Sequence, residues 1–329
     1  MLWLAGAAAA AQDGRYAVET QRQGERTLIR LVDNQSGLAA TVSPRDGGEL
    51  CGLQMRRQDR WAELIYRACD YAETAGWRGK APLLWPATGS TRTGGYTWNG
   101  KRYEMPQHGF VQKMAWKVVE SGADRGGARV TVELQDTAAT REMYPFGWRL
   151  RAEYRVADGK LTLSYAVVAD KSNAAKMPFS IGNHITFRTP LVANANVTRL
   201  QMDLTGNPKL IVKDAQNLPT GEIKERPLPN PTALAFFPVN PAVSLGDFAG
   251  TPQMTLRDAS GVQIVMRHTA SRLPEQPFVQ FNLWGNVRDG YFSPEPWVGL
   301  QNSFQLDRGR VALMPGESWD WTITIQVKP

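Results

Sequence analysis

A chain of 329 residues with 42% hydrophobic side chains is long enough to bury a large core, and it is basic, at a formal +7. Its Lys and Arg are scattered, with no basic run longer than a pair such as Arg56-Arg57. That pattern lacks the aromatic-interleaved basic stripe of a nucleic-acid module, so no nucleic-acid partner is expected. No apolar stretch is long enough to span a bilayer.

Taken from the N-terminus, Leu2 to Ala11 form a short apolar block that ends in Ala9-Ala10-Ala11 before Gln12-Asp13, without a Lys or Arg at its start. Residues 1–11 read as a signal peptide or a disordered tail. A signal would place the protein in the periplasm or outside the cell, free of the membrane after processing; a tail would leave it cytoplasmic. Only Cys51 and Cys69 occur; in an oxidising compartment they could pair, but sequence spacing does not show that their Cα atoms come close enough, and two buried free thiols are expected. A weak helical period runs from Trp61 to Tyr71.

The rest reads as strand. Asn99-Gly100 between Tyr96-Thr97-Trp98 and Lys101-Arg102-Tyr103 predicts a tight hairpin. Trp148, Leu150, Ala152, Tyr154 and Val156 alternate up to Asp158-Gly159, and Leu161, Leu163, Tyr165 and Val167 alternate away from it. Asp258-Ala259-Ser260-Gly261 turns a third hairpin between Met254-Thr255-Leu256 and Val262 to Met266. Helices should be short and few. No linker, repeat or low-complexity run divides the chain, so residues 12–329 are expected to form one all-β domain, a large antiparallel two-sheet β-sandwich.

Three separated segments carry groups that can move a proton near neutral pH: Gln107-His108-Gly109-Phe110, Gly182-Asn183-His184 and Glu295-Pro296-Trp297. On a sheet, side chains two apart face the same way, so His108, His184 and Glu295 can converge in one cleft. Gly109 and Gly182 beside the histidines permit close backbone approach to a ligand. His268, in a plain strand, reads as structural. The three histidines show no HxH, HExxH or Cys/His spacing, so no metal is expected.

These segments stand in an ordered series. It runs through Asp46-Gly47-Gly48-Glu49-Leu50, Ala81-Pro82-Leu83-Leu84-Trp85-Pro86, Gly100 to Phe110 and Met143-Tyr144-Pro145-Phe146. Met177-Pro178-Phe179-Ser180-Ile181-Gly182-Asn183-His184, Leu218 to Ile223, Glu295 to Gly299 and Leu313-Met314-Pro315-Gly316-Glu317 complete it. The series resembles the aldose 1-epimerases, or mutarotases, along almost the whole chain. The resemblance implies the galactose mutarotase-like supersandwich, with a monosaccharide site in a cleft on one sheet, no cofactor, and a monomer or weak dimer. It implies Glu295 as base, His184 as acid, and His108 on the ring oxygen or a neighbouring hydroxyl. Gln107, Asn183, Arg92 and Trp284 are expected to contact the sugar, with Trp85 and Phe187 as weaker aromatic candidates.

Departures from the family pattern bear on the substrate. An arginine is common where this chain has Ser90, leaving Arg92 as its replacement, and a second is common at Gln112, beside Lys113. In the hexose-6-phosphate branch such residues hold the phosphate, so their loss points to a neutral aldose. The aspartate that many galactose-active members place on a hydroxyl has no clear counterpart here, and Asp247 is named only as a guess. The leading expectation is a cofactor-independent aldose 1-epimerase. The alternatives are a non-catalytic sugar-binding protein on this scaffold, a hexose-6-phosphate epimerase, and a polysaccharide-processing enzyme, the last lacking a second acid or tyrosine in any motif.

Overall fold

In a computed structural model the protein is described over residues 14–72, 78–237 and 240–329; the leader or tail expected at 1–11 lies outside the described residues. The alternation read from the sequence becomes a burial pattern. Trp148–Ala157 and Lys160–Ala169 pair residue for residue, and every second side chain of each is buried. Their turn has Asp158 at φ 50° and Gly159 at φ 69°, the left-handed conformation a two-residue hairpin demands. The hairpins at Asn99-Gly100 and at 258–261 form as expected.

These two strands lie within a nine-stranded antiparallel sheet, in which Ser318–Lys328 runs between Lys160–Ala169 and Gln263–Ala270. The second large sheet is eight-stranded. Its order is Pro219–Lys224, Lys209–Lys213, Val243–Gly246, Val279–Asn286, Tyr291–Gly299, Ile181–Asn183 and Leu83–Leu84, with Phe187–Arg188 also pairing to Tyr291–Gly299. An N-terminal five-stranded meander, Tyr16 to Glu63, packs against one end of the nine-stranded sheet.

Aromatic rings of the nine-stranded sheet pack against rings from the second large sheet and from the segments beside it. Trp85 packs on Trp148 at 4.5 Å between centroids, Phe179 on Trp319 at 5.3 Å, and His268 edge-on to Phe281 at 5.1 Å. His268 is structural, as read: Trp321 Nε1 donates to its Nδ1 at 3.2 Å, and burial pushes its pKa down to about 4. Trp85 and Phe187, weaker candidates for the sugar site, are instead fully buried core residues.

Two local expectations fail. The stretch from Trp61 is no helix: Arg60–Glu63 is a strand, and turns follow it. The Glu63 carboxylate there accepts from the backbone N–H groups of Leu53, Leu64 and Ile65 at 2.8–3.1 Å, a local network that outcompetes helical bonding. The helices that form are short, Ala138–Met143, capped by Thr137, and Ser303–Leu306.

The cysteines are not free thiols; Cys51 and Cys69 form a disulfide. The turn folds back so that Cys69 N–H donates to Cys51 O at 2.8 Å, leaving the Cα atoms 4.7 Å apart. Because the bridge closes a segment of 18 residues, the Cys51→Ser/Cys69→Ser variant should lose about 3 kcal/mol in urea unfolding. A midpoint unchanged by the substitution and by added reductant would show that the thiols are not joined.

Candidate functional site

The strand Ile181–Asn183 pairs with Tyr291–Gly299 on one side and Leu83–Leu84 on the other. Its alternation sends Asn183 between the sheets, where the amide donates to Ala81 O and Tyr165 Oη at 3.1 Å each. Asn183 therefore serves the core and does not line the cleft, contrary to expectation. Gly182 and His184 face the other way. A Cβ on Gly182 would stand 2.4 Å from the Trp297 ring, so only glycine lets that indole lie flat across the strand.

Glu295 sits on Tyr291–Gly299 opposite Asn282 of Val279–Asn286, which in turn faces Ser244 of Val243–Gly246. This register builds a hydrogen-bonded row. Ser244 Oγ lies 2.7 Å from Asn282 Oδ1, which fixes the amide so that Nδ2 donates to Glu295 Oε1 at 2.8 Å. Trp297 Nε1 donates to Oε2 at 3.1 Å. Both carboxyl oxygens are held, yet Glu295 is only 1% exposed, and burial pushes its pKa up to about 8 against the pull of Asn282, Trp297 and Lys213.

His184 Nε2 is 3.5 Å from Glu295 Oε1. Burial, aided by His108, holds His184 well below the usual histidine range. The His108 ring stands edge-on to His184 at 5.5 Å between centroids. His108 occupies the left-handed region at φ 65°, followed by Gly109 at φ 71°, where a Cβ would fall 2.0 Å from Trp85 O. Gly89 N–H donates to His108 Nδ1 at 3.1 Å, so the neutral ring carries its proton on Nε2. Burial lowers the His108 pKa to about 4.

Glu295, His184 and His108 thus line one cavity of about 420 Å³, within the size range of small-molecule sites. Trp284 forms a wall, with its ring 5.7 Å from His184, and Gln107 and Ser90 also line the space. Arg92 does not: its guanidinium is paired with Asp214 at 2.6 Å and donates to Gln216, tying two loops together. Asp247, just beyond Val243–Gly246, is exposed and does not line the cavity. Asn282, Trp297 and Lys213 were given no role from the sequence, Trp297 being named only within the Glu295 segment. The alternation pairs Asn282 with Trp284, and Glu295 with Trp297, two residues apart on one face, and that was the signal available for the first two.

His108 and His184 also line a second cavity of about 590 Å³. Arg26, Arg45, Arg78, Lys80 and Lys113 surround it, along with Gln112. Arg26 is held by Asp46 at 3.0 Å and Arg45 by Glu25 at 2.6 Å. Glu49, bonded by Tyr71 Oη at 2.9 Å, is pushed up to about 8 by burial. The cavity consequently carries an excess of positive charge at neutral pH.

Residues 30–326 match the family model described as Aldose 1-epimerase. A galactose mutarotase-like protein from Clostridium acetobutylicum superposes with a TM-score of 0.79 at 20% identity, covering 95% of this chain and 99% of that one. Galactose 1-epimerase from Lactobacillus acidophilus gives 0.70 at 16% identity, covering 95% and 99%. The large antiparallel sandwich is therefore the galactose mutarotase-like fold. Among curated relatives, a provisionally named glucose-6-phosphate 1-epimerase of Salmonella typhimurium is 32% identical over 79 residues, 24% of each chain. The plasmid LacX protein of Lactococcus lactis is 29% identical over 128 residues, 37% of this chain and 40% of that one. The matched stretches thus span well under half of these relatives.

The buried carboxyl makes a prediction independent of activity. A folded pKa near 8, above the ordinary 4.5, means the neutral form is favoured. The stability it contributes is complete below 4.5 and is lost as pH rises toward 8, at about 1.4 kcal/mol per pH unit. Glu295→Gln should therefore be more stable than wild type in urea at pH 8, with the difference shrinking toward pH 5. A difference that does not vary with pH would mean that Glu295 is not desolvated.

Proposed function

The chain belongs to the aldose 1-epimerase family, and from that premise we propose that it interconverts the α and β anomers of a free aldose, with Glu295 as base and His184 as acid. The observation that carries this reading is the 3.5 Å approach of His184 Nε2 to Glu295 Oε1 inside a cavity that His108 also lines. Ring opening needs the C1 hydroxyl deprotonated while the ring oxygen gains a proton. Glu295 takes the C1–OH proton, the C1–O5 bond breaks as C1=O forms, and His184 gives its Nε2 proton to O5. Rotation about C1–C2 and the reverse steps close the other anomer.

The proton inventory of the pair suits that cycle. With Glu295 raised and His184 lowered, the empty site favours a neutral carboxyl beside a neutral imidazole. The same single proton placed on His184 leaves the carboxylate that starts ring opening, and the ring-opened complex returns to the neutral pair. His108, with its proton on Nε2 by the Gly89 contact, can donate to a sugar oxygen without changing charge. Trp284 offers an indole face to the sugar's C–H surface.

The disulfide between Cys51 and Cys69 favours an oxidising compartment and so supports export. An exported enzyme would meet free rather than phosphorylated sugars, in line with Arg92 being engaged by Asp214. A second reading draws on the cationic cavity beside the histidines: Arg78, Lys80 and Lys113 would there receive the phosphate of an aldose 6-phosphate.

Anomer exchange measured by NMR on glucose, galactose and their 6-phosphates tests both readings. Wild type should accelerate exchange of free aldoses, and Glu295→Gln and His184→Ala should each cut kcat by about 10² or more with little change in sugar affinity. Exchange no faster than in buffer for every aldose, with sugar binding retained, would make the chain a sugar-binding protein. A preference for 6-phosphates abolished by Arg78→Ala or Lys113→Ala would establish the second reading.

A further inference from the structure

Lys213 ends the strand Lys209–Lys213, two strands away from Asn282 and three from Glu295, and lines the same cavity as the carboxyl. Nothing in the sequence motifs marks it. Its side chain is held in place by one contact, Nζ to Ala242 O at 2.9 Å, which leaves two ammonium donors. No carboxylate among the described residues lies within ion-pair distance of it. The neighbouring Asp214 is turned to Arg92, and those two charges satisfy each other at the rim.

The other groups facing Glu295 carry no fixed charge. Asn282 and Ser244 on the adjoining strands are neutral, as is Trp297 on its own strand. His184 and His108 are kept neutral by burial. The cations of the second cavity lie beyond the histidines, which border both spaces. Lys213 is thus the cation, among described residues, that shares a cavity with the carboxyl.

We propose that Lys213 is a positioning residue for the acid–base reaction: its charge, anchored at Ala242 in the cavity that Glu295 also lines, keeps that buried carboxyl able to ionise. The proposal rests on Glu295 being the base. The Asn282 and Trp297 hydrogen bonds offset part of the carboxylate's desolvation, and the Lys213 charge adds to them a long-range attraction that neither neutral donor supplies. The effect is mutual. Burial pushes Lys213 down to about 8, and Glu295 is the group that pulls it back up. Lys213 also restores a cation to a cleft in which Ser90 offers none and Arg92 is committed elsewhere.

The test compares wild type, Lys213→Met and Lys213→Arg by kcat/KM for anomer exchange from pH 5 to 9 at fixed ionic strength. Losing the charge should move the alkaline limb, where the pair loses its single proton, up by about one pH unit, so that Lys213→Met is about tenfold slower than wild type at pH 6 and close to it at pH 9. Lys213→Arg should keep the limb near its wild-type position. A loss that is equal at all pH values, with the limb unmoved, would overturn the proposal and leave Lys213 a structural residue. If wild type turns over no aldose, the function fails separately, and a ¹³C-carboxyl NMR titration of Glu295 in the same three proteins still decides the matter. Equal Glu295 pKa values in wild type and Lys213→Met would reject the electrostatic role.

Discussion

A carboxyl group placed where water scarcely reaches is the constraint around which this site is organised. Burying Glu295 costs free energy unless its oxygens are bonded, and the fold spends three strands on doing so. Asn282 and Trp297 each take one oxygen, and Ser244 fixes which way the Asn282 amide points. Each contact depends on register. A slip of one residue between Val279–Asn286 and Tyr291–Gly299 would put Asn282 on the far face and leave the buried Oε1 without that donor.

The same economy explains the glycines. Trp297 can reach Glu295 Oε2 because Gly182 gives its ring room, and a methyl there would meet the indole at 2.4 Å. His108 can stand beside His184 because the chain turns left-handed through His108 and Gly109 and presses the Gly109 backbone onto Trp85 O. Trp85 is itself fixed by contacts with Trp148, Tyr144 and Phe110 in the core. The position of the first histidine is therefore set by packing between the sheets and not by a flexible loop.

Much of this was legible in the sequence, and the exceptions share a cause. Strand alternation and Asn-Gly or Asp-Gly turns are local signals, so the hairpins and the all-β architecture could be read directly. The convergence of His108, His184 and Glu295 was legible because each sits in a segment with its own pattern. What failed needed information about distant partners. Arg92 was claimed by Asp214, far along the chain, and Cys69 is brought back to Cys51 by turns that follow Arg60–Glu63 and carry no local pairing signal. Asn183 was misplaced by strand parity: its neighbour His184 faces the cleft, so Asn183 must face Tyr165. Trp85 and Phe187 look like sugar platforms by composition, but in the fold they fill the space between sheets. Lys213 was invisible because a lysine at a strand end usually faces solvent.

On the proposed reading, the low polarity that makes Glu295 hard to ionise also makes the reaction cheap to run. For groups this deeply buried the expensive event is a change in net charge, not a proton moving between neighbours. Ring opening through Glu295 and His184 moves one proton onto the carboxylate and another off the imidazole, so the pair's total charge never changes. A charge-separated arrangement is needed only to begin the step. Its cost is reduced by groups that do not move: the Asn282 and Trp297 donors on the carboxylate, and a cation anchored to the backbone at Ala242. Rigid strands fix these groups before any sugar arrives, so little reorganisation is left for the reacting complex to perform. The fold's large, regular sheets are in this sense the part of the site that holds its charges still.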